Sequence, residues 1–218
     1  QTYQKQHPVK ITLEENHQKK LCEILLAQLG LPLDRARLDV STHPFTTSMG
    51  DDDVRFTTNY ERDGFLSSFF STMHEAGHAL YELGILKEDY KDTVISDAPS
   101  LGIHESQSRF WENMIARSKP FWTYFTPVFQ GVAPEVCKEK NTESWYRSVN
   151  QVRPSEIRVE ADELTYCLHV ILRFELELDL LDDKITVAEL PECWNRKMTD
   201  FLGVTPKTDR DGVLQDMH

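Results

Sequence analysis

The sequence predicts a mainly α-helical protein with one small β element. Apolar residues recur at helical spacing along most of the 218 residues, and helix-start and helix-stop signals bound these segments. Only one stretch shows the alternation of apolar and polar residues that is typical of a strand. A chain of this length can bury a substantial core, as one large domain or two small ones.

Each predicted helix has a periodic apolar stripe, and most have a capping signal. The first is opened by the capping box Thr12–Glu15, and the last by a second box, Thr186–Glu189. The third is stopped by Gly84, and the longest has Ser155 as its candidate N-cap. The predicted helices cover residues 12–28, 33–38, 64–83, 100–118, 142–150, 155–182 and 187–202.

The β element is predicted between the second and third helices. Residues 40–60 are rich in Thr, Val and Phe and contain a Gly-Asp turn, and Val54–Thr58 alternates as a strand does. Farther along, the aromatic residues of 119–129 predict core packing, with a wall of a binding site as the alternative.

Composition excludes several classes of protein. The formal net charge of -12 argues against nucleic-acid binding, which depends on cationic neutralisation of phosphates. Polar residues interrupt every apolar run well short of the ~20 residues that span a bilayer, so no membrane association is expected. The four cysteines are scattered and predict reduced thiols in a cytoplasmic protein: Cys22, Cys137, Cys167 and Cys193.

The most informative pattern is HEAGH, residues 74–78, inside an otherwise apolar helix. Residues four apart on a helix differ by about 40° in direction, so His74 and His78 project from one face and can reach a common ion. Glu75 points about 100° away, which is too far to share the ion comfortably but close enough to reach a water bound to it. The pattern therefore predicts a catalytic metal site, which needs a third protein ligand.

Glu105 is the best candidate for that third ligand. It follows His78 by 27 residues and opens the next predicted helix, an arrangement that fits a site of two histidines and one glutamate. A third histidine is the rival arrangement, but residues 79–103 contain none. The alternative interpretation is a helix whose histidines form hydrogen bonds inside a core. Gly77 disfavours it, because glycine costs a helix about 1 kcal/mol relative to alanine.

Six motifs occur in one order along the chain: HPF (43–45), DVRFT (53–57), HEAGH (74–78), HESQS (104–108), IRVEAD (157–162) and GVLQDMH (212–218). Together they closely resemble the carboxypeptidase Taq family of metallocarboxypeptidases. The resemblance implies a helical zincin-type fold related to neurolysin and angiotensin-converting enzyme, with the β element beside the active site. It also implies one divalent ion, zinc or else cobalt, at His74, His78 and Glu105, with Glu75 as general base and acid.

The same resemblance suggests residues that line a cleft. His43 and His218 are candidate donors to the oxyanion, since histidines line the cleft in this family, and Gln215 and Asp216 are expected to position His218. For His43, the alternative is a structural residue of the turn before Pro44.

A carboxypeptidase must also bind a free carboxylate, which arginine does with a bidentate fork. Arg158 is the first candidate, with Arg55 and Arg153 as runners-up. The alternatives are structural: Arg158 can pair with Asp162 one turn on, and Asp53 with Arg55 can order the strand.

The implied activity is removal of single C-terminal residues from peptides by an enzyme that is commonly dimeric. Family members are about twice as long, so residues 1–218 are expected to be a catalytic portion that lacks an N-terminal helical region and the extreme C-terminal segment. We expect such a chain to bind a divalent metal with low peptidase activity. Two alternatives stay open: a metallo-endopeptidase or peptidyl-dipeptidase on the same framework, and a metal-stabilised binding module without activity.

Overall fold

The computed structural model describes residues 11–85, 90, 93–138 and 140–216. The chain divides into two compact units, Gln1–Val149 and Asn150–His218. The predicted mainly helical fold with a small sheet is confirmed. The helices of the first unit are α1 (Glu15–Gln28), α2 (Phe65–Gly84), α3 (Leu101–Arg109), α4 (Lys119–Val132), α5 (Pro134–Cys137) and α6 (Thr142–Val149).

The sheet lies in the first unit and has three strands in the order β1-β3-β2: β1 (Ala36–Val40), β2 (Thr46–Gly50) and β3 (Asp53–Thr58). β3 pairs parallel to β1 and antiparallel to β2, so the predicted strand is the central one. The short helix expected at 33–38 is wrong, because Ala36 pairs with Val54 and is buried in the core. Pairing with a neighbouring strand has outweighed local helix propensity there.

Helix α2 is the central element of the first unit because both of its sides are covered. Phe69 and Met73 pack with the aromatic residues of α4 and α6, whereas Ala76 and Ala79 pack against the sheet. All four are fully buried, and each large side chain contributes about 1.5–3 kcal/mol of transfer free energy. This packing fixes the direction in which the polar residues of α2 point.

Helix α3 continues through a π-helical segment, Phe110–Ile115, in which Ala116 donates its N–H to the carbonyl of Trp111. Ser100 caps its start by accepting the Ile103 N–H. The predicted helix at 100–118 is therefore confirmed over residues 101–115, with a wider turn in its second half, and ends before Ser118, which caps α4. Such π segments are frequent at functional sites.

The second unit contains α7 (Glu163–Leu181) and α8 (Leu190–Leu202), which pack through Leu172, Trp194 and Met198. The helix predicted at 155–182 starts later than expected: Asp162, not Ser155, is its N-cap and accepts the N–H groups of two residues in the first turn. It is therefore not the longest helix, because α7 has 19 residues and α2 has 20. A carboxylate at the N-cap satisfies donors that the helix itself leaves without a partner.

Two further expectations have mixed outcomes. The Thr12 capping box does not form, because the Thr12 hydroxyl instead donates to Asp63. Only half of the second box forms: Glu189 accepts from the Thr186 N–H, but the Thr186 hydroxyl also donates to Glu189 instead of accepting a backbone N–H. The helix predicted at 187–202 accordingly starts later, at Leu190. The aromatic run at 119–129 packs in the core as expected, except for Tyr124, which is exposed. The run forms α4, a helix that the sequence pattern did not predict.

The four cysteines are free thiols, as expected. In the described part of the chain, every helix is too short or too polar to cross a membrane.

Candidate metal centre

Helix α2 presents His74 and His78 side by side. Their ring centroids lie 4.9 Å apart, and their side chains are 17% and 15% exposed. Because these rings are one helical turn apart and the helix is fixed by its apolar neighbours, their geometry is determined before any ligand binds.

Glu105 comes to the same place from the first turns of α3. Its Oε2 lies 3.5 Å from Nε2 of His74 and 3.3 Å from Nε2 of His78. Arg109 donates from Nε to the other oxygen of Glu105 at 3.0 Å, which turns Oε2 toward the histidines. The structure therefore brings together the three residues that the sequence singled out.

The spacing of these atoms suits a metal ion. The donor atoms of His74, His78 and Glu105 all lie within 4.8 Å of one another. Tetrahedral ligands at roughly 2.0–2.1 Å from an ion are about 3.3 Å apart. The two nitrogen–oxygen distances already match that value, so a cation needs little rearrangement of the three side chains.

The second nitrogen of His74 is held by Glu112, with Nδ1 2.8 Å from Oε2. Burial alone lowers the pKa of His74, but hydrogen bonds to Glu105 and Glu112 outweigh burial and raise this pKa to about 9. Burial acts to raise the pKa of both carboxyls, yet the hydrogen bonds to histidine hold each pKa below its usual range. In the absence of metal, the positive charge of protonated His74 thus partly neutralises the negative charges of Glu105 and Glu112.

Glu112 and Glu105 both face α2 because they are seven residues apart on one continuous helical segment. Arg109 lies between them and donates to both, at 3.2 Å and 3.0 Å. Sequence reasoning gave Glu112 no role, although its spacing from Glu105 was a usable signal.

His78 is also supported at its second nitrogen, but by a different chain of contacts. Its Nδ1 lies 2.6 Å from Nδ1 of His104, and Nε2 of His104 lies 2.8 Å from Oε1 of Glu82. Glu82 is on α2, one turn beyond His78, and His104 directly precedes Glu105 on α3. Sequence reasoning missed both contacts: it gave His104 no role although this residue opens the HESQS motif, and Glu82 lies outside the six motifs.

Glu75, the expected general base, is only 6% exposed. Thr46, on the edge strand β2, has its hydroxyl 2.5 Å from Oε2 of Glu75 and 3.2 Å from the backbone carbonyl of the same residue. The hydroxyl donates to the carboxylate and fixes its orientation, which sequence analysis did not foresee.

The other predicted residues of the first unit lie on or beside the sheet. His43 is exposed in the loop between β1 and β2, where its carbonyl accepts from the Ser41 hydroxyl at 2.6 Å. Arg55 forms a bidentate pair with Asp53 on β3, at 2.8 and 3.0 Å, which is the structural alternative considered for that pair. His218 lies outside the described residues.

In the second unit, Arg158 pairs with Asp216 at 3.3 Å, and Arg173 binds the other oxygen of Asp216 at 2.5 Å. The Arg158 N–H also donates to Gln215 at 2.9 Å. The structural alternative, a pair of Arg158 with Asp162, is wrong, because Asp162 caps α7 and Arg158 pairs with Asp216. The third candidate, Arg153, is exposed, with its backbone N–H donating to Asp162 at 2.7 Å.

Gly77 allows α2 and α3 to approach closely. A Cβ at this position would lie 2.8 Å from Cα of Ser108 and 3.0 Å from Cδ1 of Trp111, and the first of these atoms is backbone that cannot turn away. The helix that carries Glu105 would have to shift. A glycine is therefore required at position 77 so that α3 can pack closely against α2.

We therefore expect Gly77→Ala to lower the free energy of unfolding by about 1–3 kcal/mol, the usual cost of overpacking. Gly84→Ala is the matched control, because a Cβ there meets nothing within 4 Å and alanine favours a helix. Thermal unfolding of both variants makes the comparison. Equal stability of Gly77→Ala and the wild type would show that the two helices are not packed in this way.

A family model described as "Carboxypeptidase Taq (M32) metallopeptidase" matches residues 1–218. Among curated proteins, the chain is 46% identical over 201 residues to carboxypeptidase 1 of Bacillus subtilis, covering 92% of this chain and 40% of that protein. It is 47% identical over 201 residues to thermostable carboxypeptidase 1 of Thermus thermophilus, covering 92% of this chain and 39% of that protein. The chain thus spans about 40% of the length of these relatives.

Solved structures give the same result. A Pyrococcus furiosus carboxypeptidase aligns with a TM-score of 0.92 and 46% identity, over 98% of this chain and 43% of that one. An M32 carboxypeptidase from Deinococcus radiodurans aligns with a TM-score of 0.91 and 40% identity, over 95% of this chain and 41% of that one.

Proposed function

We propose, from the premise that the chain belongs to the carboxypeptidase Taq (M32) family of metallopeptidases, that it carries the metal centre of an enzyme that removes C-terminal residues from peptides. One observation carries the proposal: the donor atoms of His74, His78 and Glu105 lie within 4.8 Å of one another, with Oε2 of Glu105 3.5 Å and 3.3 Å from the two imidazole nitrogens. The structures of two relatives named carboxypeptidases support it.

We propose zinc as the ion, with cobalt as the alternative. Two imidazole nitrogens and one carboxylate oxygen, with the fourth position open, form the donor set that is typical of catalytic zinc in peptidases. When bound, the ion supplies Lewis-acid chemistry by activating a water and polarising the carbonyl of the scissile bond.

In this proposal, Glu75 accepts the proton of the attacking water and passes it to the leaving amine. Because the Thr46 hydroxyl donates a hydrogen bond to Oε2 of that carboxylate, Oε1 is the oxygen that takes the proton in this proposal. His43 and His218 would donate to the oxyanion that develops on the carbonyl.

For the substrate's C-terminal carboxylate we propose Arg158 first, with Arg55 and Arg153 as the other candidates. Arg158 shares Asp216 with Arg173, so Arg173 can keep that carboxylate neutralised when Arg158 turns to a substrate. Arg55 is held by both oxygens of Asp53, which favours a structural role for it.

We also propose that the enzyme acts in the cytoplasm and that its full-length form is a homodimer. Four free cysteines support a reducing compartment. Peptides are the proposed partners. The net charge of -12 disfavours nucleic acid, and the apolar runs of the sequence are too short for a membrane partner.

Peptides with a free or an amidated C-terminus test this function directly. We expect the free peptide to lose its last residue and the amidated peptide to resist cleavage, because amidation removes the anion that the arginine binds. Mass spectrometry of the products measures both, using the longest natural form of the protein loaded with zinc.

A peptide with a blocked N-terminus is the control and should be cleaved as the free peptide is. Release of dipeptides, or cleavage of the amidated peptide at a similar rate, would instead support a peptidyl-dipeptidase or an endopeptidase on the same framework.

A further inference from the structure

The two metal-binding histidines are supported in unequal ways. His74 contacts a carboxylate directly, through Glu112. His78 contacts a second imidazole, His104, and that ring contacts the carboxylate of Glu82. The side chains of His104 and Glu82 are only 18% and 16% exposed, so water does not readily replace either contact.

The hydrogens of this chain of contacts can be assigned from its chemistry. In the metal-bound site, Nε2 of His78 would offer its lone pair to the ion, so the hydrogen of His78 would lie on Nδ1 and be donated to Nδ1 of His104, 2.6 Å away. His104 would then carry its own hydrogen on Nε2 and donate it to Oε1 of Glu82, since a carboxylate oxygen accepts. In the metal-free chain, Nε2 of His78 lies 3.3 Å from Oε2 of Glu105.

We infer that His104 and Glu82 are positioning residues that fix the tautomer and ring orientation of His78 for metal binding. The inference rests on the metal site proposed above and adds residues that touch neither ion nor substrate. A metal-binding histidine commonly donates its other N–H to a carboxylate or carbonyl, which orients the ring and raises its basicity. Here an intervening imidazole performs that task.

The arrangement also gives the two ligands different character. Glu112 places a full negative charge next to His74, whereas the charge of Glu82 is one ring farther from His78. His74 therefore has a carboxylate as its direct partner, whereas the direct partner of His78 is a second imidazole. The Tyr81 ring contacts the His104 ring edge to face, with centroids 5.1 Å apart. This contact further limits rotation of the His104 ring.

Zinc affinity of the 218-residue chain, measured by competition with a chromophoric chelator, tests the inference. His104→Phe keeps an aromatic ring against Tyr81 but removes both nitrogens, and should weaken zinc binding by about 10- to 100-fold. Glu82→Ala should also weaken it, because His104 can then turn or change tautomer. His104→Asn should recover part of the loss, since its amide oxygen can still accept from His78.

The visible absorption of the cobalt-loaded chain provides a second readout. Loss of a fixed ring orientation should change the cobalt spectrum in His104→Phe and in Glu82→Ala, whereas Tyr81→Phe, which keeps the ring contact, should leave it unchanged. Zinc affinity within twofold of wild type in both His104→Phe and Glu82→Ala would overturn the inference. If one of these variants does not fold, the zinc affinity of the other is sufficient to decide. A wild-type chain that binds no metal would instead overturn the proposed function.

Discussion

Replacing Glu75 by glutamine is expected to abolish peptide hydrolysis and to leave metal binding intact. Glutamine has the same shape and can still accept from the Thr46 hydroxyl, but its amide cannot take a proton from water. General-base catalysis contributes about 10²–10⁴-fold to a rate, so turnover should fall by at least that factor. Metal content should not change, because Glu75 is not among the three ligand residues.

Turnover is measured on the longest natural form of the protein, and metal content by mass spectrometry after dialysis. Glu23→Gln is the matched control, since Glu23 lies on α1 with 64% of its side chain exposed, and it should behave as wild type. Loss of metal in Glu75→Gln would make Glu75 a ligand. Unchanged turnover would remove Glu75 from the catalytic residues, whereas a wild type that binds metal but has no turnover would favour the alternative of a binding module.

The second expected effect is a steep dependence of metal affinity on pH. His74 must give up its proton to bind an ion, and its pKa in the metal-free chain is raised to about 9. Binding should therefore weaken by about 50-fold between pH 9 and pH 7, with the slope approaching tenfold per pH unit well below the pKa. Calorimetry in two buffers of different ionisation enthalpy should show release of about one proton per ion at pH 7.5.

The same proton affects the stability of the metal-free chain. The folded pKa of about 9 exceeds the ordinary value of 6.5, so the stabilising contacts of His74 are fully present below pH 6.5 and are lost as pH rises through 9. Glu112→Gln removes one of the two charges that raise this pKa and should flatten both pH profiles. A metal affinity that stays constant between pH 7 and 9 would contradict the protonation state described for the site.

The part of the site that the sequence predicts is the part encoded by local periodicity. His74, Glu75 and His78 lie on one helix, whose geometry follows from spacing alone. Glu105 required only a following helix that packs against α2, and Gly77, an unfavourable residue inside a helix, lies where the backbone of α3 comes close. The apolar stripes that define these helices are long and regular, which makes such elements the most predictable.

The missed features depend on contacts between distant segments. Ala36 belongs to a strand only because β3 lies next to it. Asp162 replaces Ser155 as N-cap because the chain before it makes other contacts, among them that of Arg158 with Gln215. No periodic pattern encodes pairings of this kind.

The supporting residues of the metal centre are the clearest example. Glu112 reaches His74 from the π-helical segment that follows α3, and His104 reaches His78 from the first turn of α3. Both contacts follow from the packing of α3 against α2, which the sequence does not specify residue by residue. They emerge only when the two helices are placed together.

Anomalous X-ray scattering from crystals of the zinc-loaded chain tests the central claim most directly. We expect one strong peak at the zinc edge, about 2.0–2.2 Å from Nε2 of His74, Nε2 of His78 and a carboxylate oxygen of Glu105. A peak bound by other side chains, or none between α2 and α3 at full zinc loading, would contradict the claim that these three residues form the metal centre.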